Sequence, residues 1–306
     1  MKTYKIDQCC LYKIGTLNRL CEILHITDIK ELQELADAAD KNYKVFLKKT
    51  GDKDRVIQHA KPRLDRIHKV LTKHLSSIQA PKYLNSAIKG KSYMTNAKAH
   101  IRDDSEMTRC FTLDIQNFFA STSYKYIWNF FVYSLLCSKD ISSILTKILV
   151  YKGHVPTGAR TSPILSFLAY KTMFDQIDDL CQSKNLIMTC YIDDICISGQ
   201  NADKHTLKKV KTIIKNHGLT VHPKKIRLYS KKQPKLVTGV ALTSTGAKLP
   251  NRRRKNIHDN LIILKSTNTL PDEKLKLKIV GQLGEAGQLE NVFNRKLKNL
   301  KDQGLL

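Results

Sequence analysis

The sequence lacks the features of a membrane-spanning or exported protein. No stretch approaches the roughly 18 uninterrupted apolar residues that a transmembrane helix needs, and the first residues, Met1 to Asp7, contain no apolar signal-peptide core. None of the eight cysteines forms a Cys-x-x-Cys pair, and the ten histidines show no spacing typical of metal ligands. These absences argue against a disulfide framework or a zinc site and favour a reduced, cytoplasmic protein.

Acidic residues are scarce, above all in the C-terminal half. The whole chain has 53 Lys and Arg against 27 Asp and Glu, a formal net charge of +26. From Lys204 to His258 there are 16 Lys and Arg and no acidic residue at all. Such a concentration of positive charge implies a polyanionic partner, either a nucleic acid or an anionic membrane surface.

The order of predicted elements indicates an α+β fold. The chain of 306 residues with 42% hydrophobic content can form one large domain or roughly two to three packed subdomains. Apolar periodicity predicts helices over 26–40, after Pro62, over most of 124–151, from Ser162 as N-cap to about Cys181, before Gly218, and over 252–306, where the core is poor. Alternation predicts strands over 43–47, near 55–57 after a turn at 50–52, over 111–115 and over 219–222. We expect an antiparallel sheet backed by helices.

Two adjacent aspartates lie inside an apolar strand run that extends from Leu186 to Ser198. Asp193 and Asp194 follow Tyr191 and Ile192 at what the pattern predicts to be the tip of a β-hairpin. Two carboxylates held together on a half-buried element repel each other and lose hydration, so they persist as anions only beside a cation. Hard oxygen ligands suit magnesium, and the pair therefore indicates metal-dependent chemistry on phosphates.

A second acidic position strengthens this interpretation. Asp114 ends another predicted strand. If that strand neighbours the hairpin, the three carboxylates can hold two Mg²⁺ ions about 3.5–4 Å apart. In such a site one ion lowers the pKa of an attacking hydroxyl, and the other neutralises charge on the transferring phosphate. The alternative is that these acids merely cap a surface turn and a helix.

Five short blocks occur in order along the chain. They are Asn96-Ala97-Lys98-Ala99-His100, Asp114 with Phe118 and Phe119 following it, Gly158-Ala159-Arg160-Thr161-Ser162-Pro163, Tyr191-Ile192-Asp193-Asp194, and Val237-Thr238-Gly239. The middle three resemble the signature blocks of reverse transcriptases. The first and last resemble blocks of bacterial retron reverse transcriptases, and the likeness runs from about Asp28 to the C-terminus.

This resemblance implies a right-hand polymerase fold and RNA-directed DNA synthesis. It places an N-terminal helical segment at 1–40, fingers at 41–105, a palm at 106–235 with finger-type helices interleaved at about 124–160, and a thumb at 236–306. A retron enzyme would copy its own structured non-coding RNA, of msr–msd type, with dNTPs. Priming from a guanosine 2′-OH would leave branched, RNA-linked single-stranded DNA (msDNA). Such systems serve in bacterial phage defence with a separate effector protein and no membrane.

The resemblance also assigns catalytic residues. The catalytic carboxylates would be Asp114, Asp193 and Asp194. Together with the backbone carbonyl of Ile115 they would bind two Mg²⁺ ions, for which Mn²⁺ could substitute. Lys225, or else Lys224, would protonate the departing pyrophosphate, and either lysine would also serve as a fixed positive charge.

Contacts with the incoming nucleotide follow from the same resemblance. They would come from Lys53, Arg55, Phe118, Phe119, Thr157 and Gly158. Arg55 would grip the triphosphate, helped by Lys53 and Lys48, and Phe119 would exclude a ribose 2′-OH. A solvated basic strand and plain core packing are the respective alternatives. Relatives usually have Gln in place of Thr157, and Asn in place of Phe167 and His222, but no metal ligand is replaced.

Contacts with template and primer complete the assignment. They would come from Asn96, His100, Tyr191, Val237, Thr238, Gly239, Arg252, Arg253, Arg254 and Lys255. The basic run 252–255 opens a helix after Pro250 and would bind phosphates. Asn96 and His100 are equally well explained as structural pins. Two other functions stay open: another bacterial reverse transcriptase, of group II intron or diversity-generating type, and a catalytically silent RNA-binding scaffold.

Overall fold

The computed structural model describes residues 3–50, 53–101, 108–266 and 272–306. Its helices are α1 (Leu17–Leu24), α2 (Ile29–Asp37), α3 (Pro62–Leu75), α4 (Tyr93–Lys98), α5 (Phe118–Ser121), α6 (Tyr124–Asn129), α7 (Lys139–Leu149), α8 (Ser162–Ala169), α9 (Lys171–Gln182), α10 (Lys204–Asn216), α11 (Asn251–Ser266), α12 (Glu273–Gly287) and α13 (Asn291–Asp302). Its strands are β1 (Tyr43–Thr50), β2 (Lys53–Ala60), β3 (Cys110–Asp114), β4 (Ile187–Tyr191), β5 (Asp194–Ser198), β6 (Arg227–Tyr229), β7 (Lys235–Val237), β8 (Val240–Thr243) and β9 (Gly246–Lys248).

The central sheet has four antiparallel strands in the order β4-β5-β3-β6. β4 and β5 form the predicted hairpin, in which Tyr191 pairs with Asp194. β3 lies beside β5 in a register that pairs Asp114 with Asp194. The sheet therefore brings acidic residues from two distant segments of the chain to one end.

The two central strands, β3 and β5, are buried on both faces, which is why their sequences read as continuous apolar runs. Successive side chains alternate between the faces. Those that enter the main core, beside α8, α9 and α10, are Phe111, Leu113, Ile195 and Ile197. Cys110 and Cys196 point the other way, with their Sγ atoms 3.5 Å apart, into a smaller core shared with α4, β7 and β8. Small thiols fit this second, tighter face.

β1 and β2 form a separate hairpin of eight residue pairs, longer than the two predicted strands. Tyr43 and Ala60, at its base, are buried in the main core. Val45 and Leu47, farther along β1, are exposed. Within the described residues, the hairpin is thus anchored at its base. Its turn, at Gly51 and Asp52, lies outside the described residues.

The helix predicted over 162–181 is divided in two, and Ser162 is not its N-cap. Thr161 occupies the N-cap position of α8, while Ser162 lies inside the helix and donates its hydroxyl to a backbone carbonyl at 2.6 Å. α8 ends and α9 begins at Tyr170, whose φ and ψ are −110° and 17°. Its ring is buried, with its centroid 4.6 Å from that of Tyr126. No Gly or Pro occurs at this position, so tertiary packing of the Tyr170 ring sets the break between α8 and α9.

Residues 219–248 differ most from the sequence-based prediction. The predicted strand 219–222 is reduced to a single bridge between Val221 and Ile115. Beyond it, β7, β8 and β9 form a three-stranded antiparallel sheet that was not predicted. Each of these strands has only three or four residues, too few for alternation to be visible. The region assigned to a helical thumb therefore begins with strands.

The C-terminal helices α11, α12 and α13 form a core of their own, which corrects the expectation that this region is poor in core. The buried side chains are Leu249, Ile257, Leu261, Leu264, Ile279, Leu283, Ala286, Phe293 and Leu300. Across the described parts of the chain, no helix combines the length and the apolar character that crossing a bilayer would require.

Candidate active site

Three carboxylates meet at the end of the central sheet. Asp114 is the last residue of β3, Asp194 is the first of β5, and the two are direct cross-strand partners. Asp193 belongs to the two-residue turn between β4 and β5, and its carbonyl accepts the Ile115 N–H at 3.0 Å. The sequence-based expectation that these acids lie on neighbouring strands therefore agrees with the arrangement of the sheet.

The hairpin turn that carries these acids is strained. Ile192, a β-branched residue, has a φ of +62°, in the left-handed region that such residues rarely adopt. Its N–H donates to the Ser86 hydroxyl at 2.9 Å. The neighbouring Cys190 is bonded on both sides, to the Tyr83 carbonyl at 2.8 Å and to the Asn85 N–H at 2.9 Å. The segment 83–86 thus holds the turn in place, and nothing in the sequence pointed to it.

The carboxylates lack sufficient neutralising charge. Burial, and then the Asp114 carboxylate, raise the pKa of Asp193 to about 6. Burial, followed by Asp193 and Asp114, raises the pKa of Asp194 to about 7. Lys225 partly compensates, since its Nζ lies 2.5 Å from Asp114 Oδ2 and lowers both pKa values. The cluster therefore favours an added cation.

The donor chemistry fits a hard divalent cation. Among the described residues, no three His, Cys, Asp or Glu side chains are already arranged to hold a metal ion, and the side chain of Asp114 is bonded to Lys225 instead. Carboxylate and carbonyl oxygens are nevertheless the ligands that Mg²⁺ prefers. The Ile115 side chain is aliphatic and has no ligand atom, so only the backbone carbonyl of this residue could contribute to such a site. A cation here would relieve the repulsion that raises the two pKa values.

The segment after α10 positions Lys225. The His222 N–H donates to the Asp114 carbonyl at 2.8 Å, and the Gln116 N–H donates to the Thr220 carbonyl, also at 2.8 Å. A 3₁₀ turn, Pro223–Lys225, follows at once. Lys225 thereby reaches Asp114, so of the two lysines considered from the sequence it is Lys225 that contacts the acidic cluster.

The two phenylalanines after Asp114 have different surroundings. Phe118 is 3% exposed, and its ring packs against those of Tyr170 and Phe174. Phe119 is only half-buried, with its ring centroid 6.1 Å from that of Phe118. A nucleotide could reach Phe119 but not Phe118, because the Phe118 ring belongs to the core.

One basic residue of the β1–β2 hairpin, Arg55, acts electrostatically on the cluster. Arg55 is exposed and is the direct cross-strand partner of Lys48. Its charge lowers the pKa of Asp193, which places it within electrostatic reach of the carboxylates. Lys53 begins β2, but its side chain lies outside the described part of the structure.

The loop at Thr157 and Gly158 is fastened to β2. The Thr157 N–H donates to Gln58 Oε1 at 2.6 Å, and the Gln58 N–H donates to the Thr157 carbonyl at 2.7 Å. Farther along, Arg160 forms two bonds with the Asp65 carboxylate, at 2.8 and 2.6 Å. Gln58 was missed in the sequence, where no pattern distinguishes it from other polar strand residues.

Gly158 is required by this contact, and we predict that Gly158→Ala is distinctly more destabilising than Gly153→Ala. Both residues have positive φ, +116° and +78°. A Cβ at Gly158 would lie 2.6 Å from Ile57 Cγ2, whereas one at Gly153 meets nothing within 4 Å. The clash should cost about 1–3 kcal/mol beyond the shared backbone strain, measured as a lower thermal midpoint. Equal midpoints for the two variants would contradict the contact between the loop and β2.

The first and last sequence blocks contact each other. Thr238 and Gly239 form the turn between β7 and β8 with φ of +43° and +81°, the combination of a type I′ turn. Thr238 Oγ1 donates to the Tyr93 carbonyl at 2.8 Å and accepts from Asn96 Nδ2 at 3.4 Å. Asn96 and Val237 are fully buried. These residues therefore join the β7–β8 turn to α4.

His100 joins the same region to the central sheet. Its Nδ1 lies 2.7 Å from Ser198 Oγ and its Nε2 lies 2.8 Å from Thr189 Oγ1. Burial lowers the pKa of His100 to about 4, so the ring is neutral at physiological pH. The burial and the internal hydrogen bonds of Asn96 and His100 favour a structural role for these residues over direct contacts with RNA.

A cavity of about 280 Å³ opens next to Asp194. Its lining includes Tyr191, which is half-buried, and Arg227. Thr238 and Gly239 lie on its wall. The β7–β8 turn thus faces the space immediately beside Asp194.

The basic run at the start of α11 is divided into two pairs. Arg253 forms an ion pair with Glu285, and the Tyr93 hydroxyl donates to the same carboxylate. Arg254 forms two bonds of 2.5 Å with Glu290. Arg252 and Lys255, by contrast, are exposed, and within the described residues they form no ion pair. Arg253 and Arg254 are thus paired within the fold, whereas Arg252 and Lys255 carry unpaired charge in the described part of the chain; contacts of all four with phosphates stay a prediction.

Comparisons with known proteins identify a family for this chain. The family profile described as reverse transcriptase (RNA-dependent DNA polymerase) matches residues 47–242. The retron Se72 reverse transcriptase of Salmonella heidelberg (strain 579083-10) is 30% identical over 209 residues, 67% of this chain and 54% of the relative. The retron Ec86 reverse transcriptase of Escherichia coli is 26% identical over 263 residues, 84% of this chain and 80% of the relative. The chain thus spans about half the length of the Se72 protein.

A solved structure shows the same fold. The foamy viral protease-reverse transcriptase, in complex with double-stranded DNA, superimposes with a TM-score of 0.50 at 18% identity. The match covers 86% of this chain and 39% of the viral one. The right-hand polymerase fold and the likeness to retron reverse transcriptases, both expected from the sequence blocks, are confirmed.

Proposed function

Because this chain belongs to the reverse transcriptase family, we propose that it copies RNA into DNA by nucleotidyl transfer at Asp114, Asp193 and Asp194. The observation that carries the proposal is the meeting of these three carboxylates at one end of the sheet. Their raised pKa values support a cationic partner. The proposed partners are therefore an RNA template, deoxynucleoside triphosphates and two Mg²⁺ ions, with Mn²⁺ as the substitute.

The residues around the cluster have distinct proposed roles. Asp114, Asp193, Asp194 and the Ile115 carbonyl would hold the metal ions, which when bound lower the pKa of the attacking hydroxyl and neutralise phosphate charge. Arg55 would bind the triphosphate from the β1–β2 hairpin. Lys225 would hold positive charge beside the departing pyrophosphate and supply a proton to it.

We propose further that the protein is a retron enzyme. The support is the likeness to the curated retron reverse transcriptases and the joint between the two retron-type blocks, in which Asn96 and Tyr93 hold Thr238. The proposed template is a cognate structured RNA of msr–msd type, primed from a 2′-OH to give msDNA. An antiphage role with a separate effector protein, in the bacterial cytoplasm, belongs to the same proposal.

The polymerase subdivisions are proposed as follows. The β1–β2 hairpin with α3 would form the fingers, the central sheet with α8, α9 and α10 the palm, and the bundle of α11, α12 and α13 the thumb. The small sheet β7–β9 would connect palm and thumb. Its Thr238-Gly239 turn would then lie beside the primer end, in the 280 Å³ cavity next to Asp194.

The decisive experiment examines nucleic acid that co-purifies with the protein when it is expressed with its flanking locus. Treatment with RNase, DNase and a debranching enzyme is followed by sequencing. We expect a discrete single-stranded DNA joined to RNA through a debranchable link. RNA alone, with extension of a generic primer, would replace the retron proposal with another reverse-transcriptase class. RNA without any extension would overturn the polymerase itself.

Phe119 provides a separate test of nucleotide choice. If its half-exposed ring excludes the ribose 2′-OH, Phe119→Ala should raise the preference for ribonucleotides over deoxynucleotides by about 10-fold or more. Phe118→Ala is the matched control, because that ring packs in the core. The control should lower the thermal midpoint without changing the ratio. The ratio is measured by single-nucleotide incorporation, and an unchanged ratio in Phe119→Ala would refute the assignment.

A further inference from the structure

A line of lysines runs along one face of α10. Lys204, Lys208, Lys211 and Lys215 are separated by four, three and four residues, so the helix aligns them in a stripe about 16 Å long. All four are exposed, and in the described part of the chain none of them forms an ion pair. No acidic residue occurs from Lys204 to His258, and Asp203, just before the stripe, serves as the N-cap of α10 and accepts the Thr206 N–H. We call these four residues the α10 lysine stripe.

The α10 lysine stripe borders a groove of about 660 Å³. The remaining residues that line it are Gln116, Leu207, Thr212, Leu219, Thr220, Val221 and Pro223. Gln116 lies two residues after Asp114, and its N–H donates to the Thr220 carbonyl at 2.8 Å. The groove therefore begins beside the catalytic strand and leads away along α10.

A larger basic groove beside α3 offers a contrast. Its volume is about 870 Å³, and five basic side chains line it: Arg66, Lys69 and Lys73, which form no ion pair within the described residues, and the arginines at 63 and 160. These arginines are bound to acids within the fold, Arg63 to Glu31 at 2.9 Å and Arg160 to Asp65 at 2.6 Å. Their charge serves the packing of helices and loops. The charge of the α10 lysine stripe has no such internal use.

We propose that the α10 lysine stripe binds the phosphodiester backbone of a nucleic-acid strand that passes to or from the catalytic centre. A row of separate ammonium groups matches the repeated charge of a phosphodiester chain, and lysine binds phosphate as a point charge without base preference. The apolar side chains of the groove, Leu207, Leu219, Val221 and Pro223, offer a surface for the sugars of such a strand. Whether the strand is template RNA or DNA product rests on the proposed function, whereas the binding itself does not.

The test compares two quadruple variants of equal charge. One replaces the four lysines of the stripe with Gln, and the control replaces the exposed Lys30, Lys89, Lys125 and Lys139 with Gln. Affinities for an unstructured RNA oligonucleotide and for DNA of the same sequence are measured between about 50 and 200 mM salt. We expect the stripe variant to bind about 10- to 100-fold more weakly than wild type, with a salt slope shallower by about 2–3. The control should bind like wild type, and circular dichroism verifies that both variants are folded.

Each outcome has a defined meaning. A larger loss for RNA identifies the template as the strand, a larger loss for DNA identifies the product, and equal losses indicate a shared path. A stripe variant that binds no more weakly than the control overturns the inference. Wild-type protein that binds RNA through the stripe but synthesises no DNA would overturn the proposed function and leave this inference standing.

Discussion

Asp194→Asn is expected to abolish DNA synthesis and, at the same time, to stabilise the metal-free protein at pH 8. The loss of synthesis should exceed about 10³-fold, because a ligand at the centre of the carboxylate cluster is removed. The gain in stability follows from the pKa of Asp194, which burial and its acidic neighbours raise to about 7 from an ordinary value of 3.8. An amide at this position carries no charge to bury.

The pH dependence of this gain has a definite sign. In the unfolded chain Asp194 ionises near its ordinary pKa, whereas the folded protein retains the proton up to about pH 7. The folded state binds more protons across that window, so wild-type stability falls as pH rises through it. The difference between variant and wild type should be absent near pH 4 and complete at pH 8. There it amounts to on the order of 3 kcal/mol, or a few degrees in thermal midpoint.

The measurement is thermal unfolding in EDTA at both pH values, beside primer extension. Asp302→Asn, on an exposed position of α13, is the control and should change neither property. Added Mg²⁺ should raise the midpoint of the wild type and have a smaller effect on Asp194→Asn, which gives a readout independent of catalysis. A variant that still synthesises DNA would refute the assignment of the catalytic carboxylates. A midpoint at pH 8 equal to that of the wild type would show that Asp194 is not an uncompensated charge.

The acidic residues of the carboxylate cluster were predictable because local sequence patterns place each of them at the end of a strand. An apolar run of β-formers interrupted by Asp193 and Asp194 predicts a hairpin with acids at its tip, and the structure has β4 and β5 there. The register that sets Asp114 opposite Asp194 was not predicted. Alternation alone does not select which strands become neighbours. Local sequence patterns therefore predicted the strands and their acidic residues, and the pairing of the strands brought these residues together.

The contacts that support the site could not be predicted from the sequence, because they join distant segments of the chain. His100 is 98 residues from Ser198 and 89 residues from Thr189. The break in the helix at Tyr170 likewise arises from packing of its ring, since the local sequence is a good helix former. Strands as short as β7 and β9 have no readable period. Such features depend on tertiary contacts that local sequence patterns do not specify.

Within the basic run of α11, Arg254→Gln should destabilise the protein. The double variant Arg252→Gln with Lys255→Gln should instead weaken nucleic-acid binding and leave stability unchanged. Arg254 is paired with Glu290, whose side chain is only 13% exposed. Glu290, the N-cap of α13, also accepts the Leu249 N–H at 2.8 Å, which ties the residues just before α11 to the start of α13. Losing the arginine leaves a largely buried carboxylate unpaired, at a cost of about 2 kcal/mol or more.

The two variants should separate cleanly when stability and binding are measured on the same preparations. Arg254→Gln should lower the thermal midpoint by several degrees, and binding should recover when the temperature is lowered. The double variant of Arg252 and Lys255 should keep the wild-type midpoint, because both side chains are exposed. Its salt slope for binding a primed RNA template should fall by about 1–2, one phosphate contact for each residue. If the double variant binds normally while Arg254→Gln loses binding without losing stability, then the inner arginines contact the nucleic acid, and the division of the run into a structural and a binding pair is wrong.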